Sequence, residues 1–164
     1  VNDNVNRLID DFMKNYYKEV ADEMYEYYSL TREHYATLEA DRADDDRGDF
    51  CCHVSTMYDS TFLTARTFPR VLLLRMLDIL NGAESKVNAL PDSPYKEELH
   101  RRVVAEKLSP IALLLELHDG AFSTEQLSSM IDEFEDIAAE VGLVHWSEAV
   151  RLGTKIAELK EKLL

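Results

Sequence analysis

Apolar residues recur every three or four positions through most of this chain, and that spacing confines it to helices. Val5, Ile9, Phe12, Tyr16, Val20, Met24 and Tyr27 follow one another at helical steps, the pattern of a helix with one buried face. Leu8, Met13, Tyr17, Ala21 and Tyr28 widen that face. Asp3 or Asn4 is placed to cap its start. The spacing predicts a continuous or gently kinked helix to about Ala40, with Ser29 the place where a break would fall. The segment 41–49, DRADDDRGD, holds five aspartates and a glycine and reads as a solvated loop.

A second stripe follows on Val54, Tyr58, Phe62, Ala65, Leu72, Met76 and Ile79. It stays in phase across Pro69, which predicts two helical halves broken or kinked near Phe68 and stopped at Asn81-Gly82. Residues 83–93 read as a connector with one short turn around Lys86 to Leu90. Ser93 as cap and Pro94 at the first helical position open a third helix, on Leu99, Val103 and Leu108. Pro110 interrupts it, and the nearly unbroken apolar run Ile111 to Leu117 predicts a buried central helix ended by Asp119-Gly120. Ser123 and Gln126 form a capping box ahead of Leu127, Met130, Ile131, Phe134, Ile137 and Val141, with Gly142 as the stop. A last helix is expected from about Trp146 to Leu163.

No alternation of apolar and polar residues argues for a strand, and five glycines with four prolines are too few for the many turns of an all-β domain. The fold expected is all-α: one domain over residues 1–164, an antiparallel bundle of five to seven helices, two of them broken or kinked at proline. A chain of this length can bury about 70% of the surface its unfolded form exposes, so no metal or disulfide staple is needed.

Charge narrows the function. Thirty-two acidic residues face 18 basic ones, a net −14, which argues against nucleic acid or an anionic membrane as partner. Cys51 and Cys52 are adjacent and poorly placed to pair with each other. With VNDNVNRLIDDF at the start showing no signal-peptide pattern, a reducing cytoplasm is the compartment expected.

Several residue sets could carry chemistry. Glu19, Glu23 and Glu26 share one helical face and are placed to bind a divalent cation such as Mg²⁺ if a second helix assists. Asp132, Glu133, Glu135 and Asp136 are the dense candidates for that second set. Glu97 and His100 have the Glu-x-x-His spacing of di-iron bundles, but only once, with Arg101 and Arg102 beside them, so an exposed helical pair is preferred. Cys51, Cys52 and His53 are consecutive and so are not aimed at one another by default. Asp59, Thr64, Arg66 and Arg70 lie around Pro69 in a segment rich in hydroxyls. Two guanidiniums beside a kink could hold a carboxylate or line a small-ligand pocket, although solvent-facing hydroxyls and surface ion pairs account for them as well. Tyr25 and Tyr28 fall at the edge of the first stripe and are candidates for a homodimer or partner surface.

The residues favour a binding or regulatory module over an enzyme. From Asp119 to Val150 there are eight acidic residues and no Lys or Arg, and from Asp3 to Asp49 there are 14 acidic against six basic. One-signed surfaces steer oppositely charged partners. The expected partner is a basic protein, with roles such as an inhibitor or immunity-type protein, a nucleic-acid mimic or an accessory subunit. The alternative is a small helical-bundle enzyme or ligand-binding protein with a carboxylate-bound Mg²⁺. No cofactor is needed by the favoured reading.

Overall fold

A computed structural model describes residues 2–43, 63–147 and 150–163. Among these, six α-helices appear and no strand: α1 (Asn2–Tyr16), α2 (Ala21–Ala43), α3 (Arg70–Asn88), α4 (Pro94–Leu117), α5 (Thr124–Val141) and α6 (Leu152–Glu161). Short 3₁₀ turns at Lys18–Val20 and Asp119–Ala121 join α1 to α2 and α4 to α5. None of the described helices is long and apolar enough to cross a membrane. Val54, Tyr58, Phe62, Cys51, Cys52, His53 and Asp59 lie outside the described residues.

Charged pairs between helices give their directions. Glu23 meets Lys86 and Glu26 meets Arg75, so moving forward on α2 means moving backward on α3. His100 meets Glu140 and Lys107 meets Glu133, so α4 and α5 are antiparallel as well. Helix α4 is the centre of the bundle. Leu99 and Val103 pack with Met13, Tyr17, Val20, Met24, Leu80 and Val87. Val104, Ile111 and Leu115 pack with Ile131, Phe134, Ile137, Ile156 and Leu159. Leu114 closes a third cluster with Phe68, Leu73 and Met76. Each buried Leu or Ile here contributes roughly 1.5–3 kcal/mol relative to an exposed one.

The first long helix breaks, but at 17–20 and not near Ser29. Lys18 adopts a left-handed conformation, φ 46, which costs an L-residue about 1–2 kcal/mol. Neither glycine nor proline marks the spot. The break lets Tyr17, Val20, Ala21 and Met24 all point into the core. It also turns the predicted stripe of α1 partly outward: Val5, Phe12 and Tyr16 are exposed, while Met13 and Tyr17 are buried. Beyond Ser29, α2 continues into the stretch read as an acidic loop and ends at Ala43.

Four further boundaries differ from the sequence expectation. Helix α3 runs straight through Asn81-Gly82, because Ala83 and Val87 extend its buried stripe and their burial exceeds the roughly 1 kcal/mol that a helical glycine costs. Pro69 caps the start of α3 instead of dividing a helix whose described part begins earlier; residues 63–68 form turns. Helix α4 is one element through Pro110, although the proline removes the amide that would bond the carbonyl of Glu106. The last helix begins at Leu152. Trp146 precedes it in a turn, its amide donating to Val150 and its ring 5.0 Å from that of Phe134. The capping box at Ser123 and the left-handed stop at Gly142, φ 76, are both as the residues predict.

Candidate functional site

The densest ionic cluster lies in a groove between α4 and α5, roofed by the C-terminal half of α3. Its floor is set by helical spacing: His100, Val104 and Lys107 on one face of α4, and Ser129, Asp132, Glu133, Asp136, Ile137 and Glu140 on one face of α5. Glu84 of α3 completes it, around a cavity of ≈ 420 Å³. The apolar floor of Val104 and Ile137 belongs to the core, so the polar groups above it meet solvent on one side only.

Lys107 is the anchor of this groove. It is 4% exposed and is the one buried charged residue among those described. Its ammonium donates to Glu84 Oε2 at 2.9 Å and pairs with Glu133. Burial pulls the lysine pKa down, but the hydrogen bonds and charges of Glu133 and Glu84 outweigh it, so the net displacement is upward and the ammonium is retained. His100 makes a parallel link, Nδ1 to Glu140 at 2.9 Å and Nε2 to Glu84 at 3.4 Å. Together the two side chains tie α3, α4 and α5. Asp136 is exposed, and no cation among the described residues pairs with it. The groove thus holds five carboxylates against one lysine.

The carboxylates picked out on the first stripe do not converge. Glu19 accepts from the Tyr95 hydroxyl, Glu23 pairs with Lys86, and Glu26 pairs with Arg75 at 2.6 Å. Burial, then the Glu19 bond, push the Tyr95 hydroxyl up to about 12, while that bond holds Glu19 below the usual carboxylate range. Glu23 Oε2 is buried without a hydrogen-bond partner among the described residues, yet the adjacent Lys86 already supplies the positive charge a cation would bring. No group of three or more His, Cys, Asp or Glu among the described residues is arranged to hold a metal ion. His100 turns to Glu84 and Glu140 and not to Glu97, its partner in the sequence pattern.

The residues around Pro69 are structural in their contacts. Thr64 and Thr67 bond each other, Oγ1 to Oγ1 at 3.0 Å, and close the turn before α3. Two histidines grip that turn: His34 Nε2 donates to Thr67 O at 2.7 Å, and His118 Nε2 donates to Phe68 O at 2.8 Å. A carbonyl only accepts, so both rings carry their proton on Nε2. Arg66 is exposed, whereas Arg70 reaches Ala121 O at 3.4 Å with its guanidinium 6.0 Å from the Phe122 ring. The two arginines therefore do not form a common clamp. Tyr25 and Tyr28 lie together, ring centroids 6.2 Å apart, with Tyr25 exposed and Tyr28 half-buried under Arg32.

Comparison with protein-family models, with curated proteins and with solved structures finds no match for this chain. The site's meaning therefore rests on its own chemistry. Lys107 was legible in one respect, since it falls in the core phase of α4, four residues after Val103 and four before Ile111. Its partners Glu84 and Glu133 come from other helices, and only packing reveals them.

Proposed function

We propose that this chain is an acidic protein-binding module that receives a basic partner along the α4–α5 groove, in the manner of an inhibitor or immunity-type protein. The supporting observation is the imbalance of the groove: five carboxylates face one lysine that is itself buried beneath them. Helix α5 as a whole carries six acidic residues and no basic one, and its charged side chains are exposed. A ridge of this kind speeds encounter with cationic surfaces and fixes their register. The spacing of Asp132, Asp136 and Glu140 by one turn each suits a partner that presents Lys or Arg at the same interval, such as a basic helix.

A fluorescent Lys/Arg-rich helical peptide, titrated at low and at physiological salt, tests this. The pair Asp136→Asn/Glu140→Gln should weaken binding about tenfold, as loss of two charge contacts implies. A control pair on α6, Glu158→Gln/Glu161→Gln, removes equal charge from exposed positions and should leave affinity within about twofold. Equal losses from both pairs would mean that net charge alone attracts the peptide. That result, or no binding at low salt, would remove the groove reading.

A further inference from the structure

An apolar hollow lies where the end of α4, the turn after it, the start of α5 and the end of α6 converge, and it shares no lining residue with the acidic groove. Its floor is Leu115, Ile131 and Leu159, all members of the core, with Leu127 and Leu163 as half-buried walls. Gly120 brings no side chain to the lip, and a Cβ placed there would meet nothing within 4 Å. The volume is ≈ 290 Å³, at the small end of ligand sites, which begin at about 300 Å³. That is room for one large apolar side chain and the few atoms that carry it.

Two exposed charges of opposite sign complete the lining, Lys162 and Asp119. Lys155 reaches Glu116 at 2.8 Å and Lys160 reaches Glu135 at 2.6 Å, whereas Lys162 meets no carboxylate among the described residues. Asp119 accepts the amide of Gly120 through Oδ1 at 2.7 Å, and no cation among the described residues pairs with it. A mouth of this kind sorts ligands by sign. A ligand with only a carboxylate is repelled by Asp119 and by the net charge of −14; one with only an ammonium is repelled by Lys162. A zwitterion satisfies both. The end of a peptide carries one of the two charges without the other, so an α-amino acid, with both on one carbon, suits the mouth best.

We infer that this hollow binds a free α-amino acid with a large apolar side chain, of the leucine or phenylalanine kind. The side chain enters between Leu127, Ile131 and Leu159, Lys162 Nζ holds the carboxylate, and Asp119 Oδ2 holds the ammonium. Burial of the side chain supplies most of the affinity, and the two charges supply the selection. A ligand of about a dozen non-hydrogen atoms should bind here with a Kd on the order of 100 µM. The site does not rest on the reading of the acidic groove.

Methyl NMR of the labelled chain, read at Leu127, Leu159 and Leu163, tests this directly. L-leucine or L-phenylalanine should give saturable shifts at these methyls, and glycine, which has no side chain to bury, should give none. The one-charge analogues 3-phenylpropionate and 2-phenylethylamine should bind at least about tenfold more weakly than L-phenylalanine, as loss of one charge contact implies. Lys162→Gln and Asp119→Asn, both at exposed positions, should each weaken L-phenylalanine by about tenfold. Lys162→Gln should not weaken 2-phenylethylamine, nor Asp119→Asn 3-phenylpropionate, since each analogue lacks the group that the lost charge would hold. No saturable shift with either amino acid up to about 10 mM, one-charge analogues that bind as well as L-phenylalanine, or variants that leave its affinity unchanged would each overturn the assignment.

Discussion

Replacing Lys107 with methionine is the sharpest test of how the groove is held. The thioether retains most of the lysine stem's packing, so the change removes chiefly the ammonium. Glu84 and Glu133 then face each other and the remaining groove carboxylates with no cation between them. Removing one partner of a fully buried pair costs about 3–5 kcal/mol. Here the carboxylate side chains of Glu84 and Glu133 are 25% and 43% exposed and partly rehydrate, so the expected loss is about 2–3 kcal/mol. In a chain of this size that corresponds to a fall in Tm of about 5–10 °C. Urea unfolding followed by circular dichroism at several pH values measures it. The deficit should shrink as pH falls and the stranded carboxylates take up protons. Adding Glu84→Gln and Glu133→Gln to the variant should recover at least half of the loss. The same single variant should bind basic peptides more tightly, since it leaves the groove without its internal cation. A Lys107→Met protein within about 0.5 kcal/mol of wild type would refute the argument that this buried ammonium secures three helices.

Alkaline pH should destabilise the fold from about pH 10. Burial, then the Glu106 charge, push the Tyr27 hydroxyl up to about 12, and the same causes raise Tyr17, which donates to Glu106 at 3.1 Å; Lys107 is raised too. A raised folded pKa gives stability that is complete below the unfolded value and lost as pH rises through the folded one, so Tm should be flat near pH 8 and drop between about 10 and 12. A flat profile to pH 11.5 would show that these hydroxyls are not enclosed. Ser123→Ala removes the cap whose Oγ accepts from Gln126 at 3.3 Å and should cost about 1 kcal/mol in the same urea experiment; no measurable change would mean that the N-terminus of α5 is held by packing alone.

Much of the architecture is decided by local chemistry that a sequence states openly. Periodic apolar residues, scarce glycine and proline, the Ser93-Pro94 opening, the Ser123 capping box and Gly142 as a left-handed stop each act within a few residues, and each appears where its pattern lies. The acidity of α5 is equally plain in its composition. What tertiary structure decided is where local rules were overruled and which distant groups met. A lysine takes a left-handed conformation at position 18 because burying Tyr17, Val20 and Met24 together is worth more than the strain. Gly82 stays helical because Ala83 and Val87 have a core to fill. The candidate carboxylates Glu19, Glu23 and Glu26 are spaced as one helix face, yet Glu19 falls in the 3₁₀ turn before α2 and each is drawn to a different partner on a neighbouring helix. Conversely, Glu84, His100, Lys107, Glu133 and Glu140 are scattered over 57 positions of sequence and form one network only when α3, α4 and α5 pack antiparallel. Helical periodicity depends on neighbours three or four residues away and can be read from the chain; the pairing of charges depends on distances that exist only once the core has closed.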